Sequence, residues 1–183
     1  MKLSRKFFAK NTLVVAKSLL GLVFCRRLQD GRILKGKIVE TEAYTQEEPS
    51  CHAFCGVTKR SETLFRKAGT LYVYFTYGMY YCSNIVTEKE GYGSAVLIRA
   101  VEPLTELNEY KKTNGPAKFC KAFSITTELN NLDITSKTSE IWIEKGEDIS
   151  DDNIIQTTRI GITKATDLKW RFYIKNNKFI SKK

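Results

Sequence analysis

The 183-residue sequence is poor in histidine, proline and methionine, with one, three and two of them, and none of its five cysteines forms a Cys-x-x-Cys pair. A single histidine, His52, excludes a multi-histidine site. Cys25, Cys51, Cys55, Cys82 and Cys120 are odd in number and scattered, which argues against a disulfide framework and for reduced thiols in a cytosol. No tract of Pro, Gly or Ser is long enough to serve as a linker and no internal repeat is present, so residues 1–183 read as one domain. No run approaches the ~20 apolar residues of a transmembrane helix. The basic start MKLSRKFFAK leads into Asn11, Thr12 and Lys17 rather than the apolar core of a secretion signal. The chain is therefore expected to be soluble and cytoplasmic, with no membrane partner.

Positive charge is abundant. Thirty Lys and Arg against twenty Asp and Glu give a net charge of +10, the footprint of a protein that meets a polyanion. Nucleic acid is the leading partner, although an anionic membrane surface or an ordinary Lys-rich solvated face fits the same number. At 42% hydrophobic and 27% charged residues the composition is that of a globular domain able to bury its own core.

Local patterns predict an α+β fold in which a curved, mostly antiparallel β-sheet forms the core and helices lie at its periphery. Asn11 is placed to cap a helix carrying Leu13, Ala16, Leu19 and Leu20, with Gly21 ending it. Residues 22–28 and 32–43 read as strands joined at Asp30-Gly31. Residues 70–77 and 80–86 meet at Gly78-Met79, and 94–101 follow the Gly91–Gly93 turn. Gly115-Pro116 opens a short helix with Phe119, Cys120 and Phe123. Residues 140–144, 158–162 and 170–174 are short strand-like runs.

Chemistry gathers around the second of these strands. Alternation along it puts Glu40 and Glu42 on one face and Val39, Thr41 and Ala43 on the other. Paired carboxylates commonly divide proton-transfer roles, though most acidic pairs at strand ends merely face solvent or basic side chains. Tyr44 follows directly. Tyr72, Tyr74, Tyr77, Tyr80 and Tyr81 crowd ten residues, a density that suits either strand packing or the stacking of nucleobases. The hairpin tip with Tyr77, Met79 and Tyr80 has the make-up of a wedge that fills a gap in a duplex. Arg99 interrupts the apolar run from Ala95 to Val101, and a buried guanidinium requires an acceptor, from Glu40, Glu42, Glu102 or a phosphate. Cys51, His52 and Cys55 do not match zinc-ligand spacing, and Gly115–Lys118 lacks the length and hydroxyl of a phosphate-binding loop, so neither metal nor cofactor is expected.

Taken in order, VETEAY (39–44), His52, TLYVYFTYGMYYCSN (70–84), AVLIRAVEPL (95–104), GPAKFCKA (115–122), RIGI (159–162) and WRFYI (170–174) resemble the alkyladenine, or 3-methyladenine, DNA glycosylase family over nearly the whole chain. The resemblance implies a monofunctional DNA repair enzyme that flips damaged purines out of duplex DNA and hydrolyses the N-glycosidic bond, working as a monomer. It implies Glu42 as general base for the attacking water, with Glu40 in support. Arg99 and the backbone carbonyl of Ile160 would hold that water. Tyr44, His52 and Tyr74 would sandwich the flipped base, and Asn84 would disfavour the amino group of guanine. Tyr77 would occupy the vacated place in the duplex, flanked by Met79 and Tyr80. Two connections are shorter than is usual in the family: that from Tyr44 to His52, and Glu109–Asn114. The residues alone also suit a non-catalytic nucleic-acid-binding module, or a carbohydrate hydrolase built on Glu40 and Glu42.

Overall fold

A computed structural model describes residues 1–76, 78–107 and 110–182. Tyr77, the expected intercalating residue, and Glu109, at the start of the second shortened connection, lie outside them.

The longest element is β2 (Ile33–Thr45), which acts as the spine of an antiparallel sheet that curls into a half-barrel. Its first half pairs with β1 (Val23–Arg27) through a tight turn in which Gly31 adopts φ 85°, a conformation that favours glycine. Beyond β1 lies β6 (Ile141–Glu144). On its other side β2 pairs with β5 (Ser94–Pro103), followed outward by β4 (Tyr80–Val86) and β3 (Leu71–Thr76). The order is thus β3-β4-β5-β2-β1-β6. Past Lys37, where pairing with β1 stops, Glu40, Thr41 and Glu42 gain a second partner in β8 (Arg171–Ile174), which pairs in turn with β7 (Ile154–Thr157).

Helices cover one face of this sheet. α1 (Arg5–Phe8) was not anticipated, whereas α2 (Thr12–Ser18) is capped as expected, the Asn11 side chain accepting from the amides of Leu13 and Val14. Thr41 donates from its hydroxyl to the carbonyl of Ala16 at 2.8 Å and so ties α2 to the spine. α3 (Pro116–Ala122) starts with proline in its first turn and drives Phe119 and Phe123 against Phe24, with ring centroids 4.9 and 5.8 Å apart in edge-to-face packing. Ile38, Ala43, Leu71, Val73, Ile85, Val96, Ile98 and Val101 complete this core.

The expected strand over 158–162 does not form; the strand lies just before it, at Ile154–Thr157. Gly161 takes φ 76°, which breaks extended geometry, and the Arg159 side chain turns inward to buried acceptors. The segment is a loop that presents the Ile160 N–H to Glu42.

Candidate active site

The sheet's other face is shaped by two bulges. Ile38 pairs with Val101 and Glu40 with Ala100, leaving Val39 as an extra residue on β2; Thr41 then pairs with Ile98, leaving Arg99 extra on β5. A bulge lets adjacent residues share a face and re-aims the side chain beside it. Val39 accordingly lies on the same side as Glu40, contrary to strict alternation, and packs with Ala100 and Ile180. The opposing bulge turns Arg99 toward both carboxylates.

Arg99 bridges the acidic pair, its Nη1 donating to Glu42 Oε2 at 3.1 Å and its Nε to Glu40 Oε1 at 3.2 Å. Glu102 is not its partner and pairs with Lys37 instead, at 3.0 Å. Glu42 is fully buried and accepts two further hydrogen bonds, from the Tyr44 hydroxyl at 2.7 Å and from the amide N–H of Ile160 at 2.8 Å. The resemblance implied a role for the Ile160 carbonyl; the N–H of the same residue is the group that reaches Glu42. Glu40 is equally buried and accepts from Arg99, from Arg171 Nη1 at 2.8 Å, and from the Ser181 hydroxyl and amide at 2.9 and 2.6 Å. Each carboxylate is therefore matched by guanidinium rather than left facing its twin.

Tyr44, Arg99 and Ile160, the three partners of Glu42, line a cleft of about 510 Å³ together with His52, Tyr72, Tyr74 and Asn84, while Glu42 itself lies behind them and is not part of the lining. Alternation along β3 puts Tyr72 and Tyr74 on this wall while Leu71 and Val73 enter the core. The His52 ring stands edge-on to Tyr74, with centroids 4.7 Å apart, and its Nδ1 is 2.9 Å from the Tyr72 hydroxyl. Burial, helped by the Arg60 cation, lowers the His52 pKa to about 4, so the imidazole is neutral at physiological pH. The shorter connection from Tyr44 thus still delivers His52 to the cleft. Burial and the adjacent Glu42 charge raise the Tyr44 phenol far above its ordinary value, so it stays a donor. Burial likewise raises Tyr74 and the Cys82 thiol. Asn84 donates from Nδ2 to the Tyr72 carbonyl at 3.2 Å, which fixes the orientation of its amide. At the hairpin tip Met79 and Tyr80 are 63% and 45% exposed.

The sequence profile of the methylpurine-DNA glycosylase family matches residues 6–178. The chain belongs to that family. It is accordingly a DNA glycosylase, and DNA is its substrate. A relative from Carboxydothermus hydrogenoformans is 47% identical over 193 aligned positions covering all of both chains. One from Chlorobium phaeobacteroides is 45% identical across all of this chain and 96% of its own. One from Francisella tularensis is 45% identical over 94% of each. All three carry the provisional name 3-methyladenine DNA glycosylase.

Several residues of this family member's site were not singled out from sequence. Tyr72 stood in the tyrosine cluster without a role, although its period-two relation to Tyr74 places both on one wall. Glu48, Arg159, Arg171 and Ser181 carry no local signal, because their partners lie 111 to 141 residues away. Among the described residues no cluster of three or more His, Cys, Asp or Glu is arranged to hold a metal ion, and no helix is long and apolar enough to cross a membrane.

Proposed function

We propose that the cleft receives a damaged purine turned out of duplex DNA and that Glu42 deprotonates a water which displaces it from deoxyribose, leaving an abasic site. The observation that carries this reading is which groups hold each of the two carboxylates. An ionised carboxylate has about four acceptor sites. Glu40 accepts four hydrogen bonds, three of them at Oε1, and of their donors only Arg99 lines the cleft. Glu42 accepts three, two at Oε2 and one at Oε1, all from groups that line the cleft, so a water entering the cleft meets the partners of Glu42 rather than those of Glu40. Arg99 and the backbone at Ile160 then position that water as well as the base, while Glu40 holds Arg99.

The walls suit an electron-poor guest. Tyr44, His52 and Tyr74 offer aromatic faces on which a flipped purine stacks, each worth about 1–3 kcal/mol. Alkylation makes the purine cationic, which strengthens its attraction to tyrosine faces and makes it a better leaving group. Asn84, its amide held by Tyr72, opposes the exocyclic amino group of guanine. Tyr77, Met79 and Tyr80 fill the space vacated in the duplex. The names of the relatives support 3-methyladenine as one substrate. Once the glycosidic bond has loosened into an oxocarbenium-like state, water activation is the remaining task, and no covalent enzyme intermediate is required.

Single-turnover release of 3-methyladenine and hypoxanthine from duplex DNA tests the reading. The wild-type protein releases both, whereas Glu42→Gln binds lesion DNA and is slowed by at least about 10²-fold. Intact lesions after incubation with wild-type protein, or undiminished release by Glu42→Gln, defeat the reading.

A further inference from the structure

Behind the cleft lies a buried ion pair that the chemistry above does not use. Arg159 donates to Glu48 through two parallel hydrogen bonds, Nη1 to Oε1 at 2.6 Å and Nη2 to Oε2 at 3.0 Å, with side chains 0% and 5% exposed. Buried ion pairs add little net stability compared with apolar residues of the same shape, so the question is what this pair specifies.

Its further contacts answer that. Arg159 Nη1 also donates to the carbonyl of Ala43 at 3.0 Å, the residue between Glu42 and Tyr44. Nη2 reaches the carbonyl of Ala165 at 3.3 Å. The guanidinium lies 4.6 Å from the centre of the Tyr44 ring and 5.3 Å from that of Trp170. Tyr44 lines the cleft and Arg159 does not, so the cation supports the aromatic wall from behind. The next residue, Ile160, supplies the N–H that holds Glu42. Glu48 also accepts from the amide and hydroxyl of Ser50, at the start of the turn that presents His52. Among the described residues Arg159 Nε is buried without a partner, which indicates that stacking on Tyr44 and the fork onto Glu48 set its pose rather than full hydrogen bonding.

We propose that Arg159 is a positioning residue for excision, locked by Glu48, that fixes Tyr44 and the Ile160 amide where they orient the Glu42 carboxylate. The proposal rests on the reading of Glu42 given above. Arginine is required because one planar fork serves Glu48, Ala43 and the face of Tyr44 together, and a lysine ammonium cannot do so. A neutral base departs only with well-placed water, so excision of hypoxanthine depends on this alignment more than excision of cationic 3-methyladenine.

Arg159→Lys, Glu48→Gln and the apolar replacement of the pair, Arg159→Met with Glu48→Leu, are compared with wild type. The readouts are thermal stability, affinity for lesion duplex, and single-turnover excision per folded molecule. Excision of hypoxanthine is expected to fall about 10²-fold in Arg159→Lys, the scale of an ångström-level misplacement. Excision of 3-methyladenine should fall less, with binding within a few-fold of wild type. The apolar pair should regain stability without regaining rate. Recovery of rate together with stability, equal losses on both lesions, or wild-type rates in Arg159→Lys would show a purely structural pair and overturn the proposal. Glu42→Gln separates the two levels: if it excises normally, the reading of Glu42 fails whatever Arg159 does. If it is inactive while the Arg159 variants are unimpaired, only the present proposal fails.

Discussion

The Tyr44 hydroxyl donates to Glu42 Oε2 at 2.7 Å, although the two residues are next-but-one neighbours on β2. In the proposed function one side chain would thus serve both as a stacking face for the base and as a hydrogen-bond donor to the general base. Tyr44→Phe separates these roles. The ring remains, so lesion binding should change little. A lost hydrogen bond to a buried charge is worth about 1.5–3 kcal/mol, which predicts single-turnover excision slower by roughly 10-fold or more. Tyr44→Ala should lose affinity as well as rate. If Phe and Ala variants bind lesion duplex equally weakly, the hydroxyl and the ring have no separable functions.

His52 links the cleft to folding stability. Its pKa of about 4 in the folded protein lies below its ordinary 6.5 because burial, then Arg60, penalises the imidazolium. Between these values the unfolded chain binds a proton that the folded chain excludes. His52 therefore makes the protein less stable as pH falls from about 6.5 to about 4, with its full contribution present above that window. After allowance for a half-buried site the effect is on the order of 2 kcal/mol. Carboxylates titrate nearby, so the useful quantity is the difference in urea-unfolding free energy between wild type and His52→Gln at pH 7 and pH 4. As this is the only histidine, a difference that stays constant with pH would contradict the assignment.

Much of this site was readable from local pattern. Arg99 declared itself as the one charge inside an apolar run, Glu42 as half of an acidic pair, and Tyr74 as part of an aromatic strand. The hairpin turns followed from Asp30-Gly31 and Gly78-Met79. Other features were not encoded locally. A bulge is a property of two strands in register, so the displacement of Val39 and Arg99 needed their partners. The RIGI run alternates like a strand, but Gly161 turns it and Arg159 is drawn inward by Glu48, 111 residues earlier. The donors outside the cleft that hold Glu40 and distinguish it from Glu42 are Arg171 and Ser181, 131 and 141 residues away in sequence.

Gly36 tests whether the helix-covered face is independent of the cleft. A Cβ at this β2 position would sit 2.8 Å from Val101 Cγ2 and 3.0 Å from Phe123 Cζ, where α3 packs on the sheet. Gly36→Ala should therefore overpack the core and destabilise the protein by about 1–3 kcal/mol. Excision per folded molecule at a temperature well below the transition should remain near wild type. A large loss of rate in fully folded Gly36→Ala would mean that the two faces are coupled.

The hairpin between β3 and β4 presents Met79 and Tyr80 to solvent, beside the cleft wall that β3 supplies. In the proposed function these side chains act as a wedge that enters the base stack. Unstacking a base step costs a few kcal/mol, and a wedge offsets that by replacing the lost contacts. In single-stranded DNA there is no partner base to leave behind and no gap to fill. Met79→Ala combined with Tyr80→Ala should thus slow excision from duplex DNA by about 10-fold or more while leaving excision from a single-stranded lesion nearly unchanged. Equal slowing on both substrates would assign these residues to the cleft itself, and no slowing on either would remove the wedge from the mechanism.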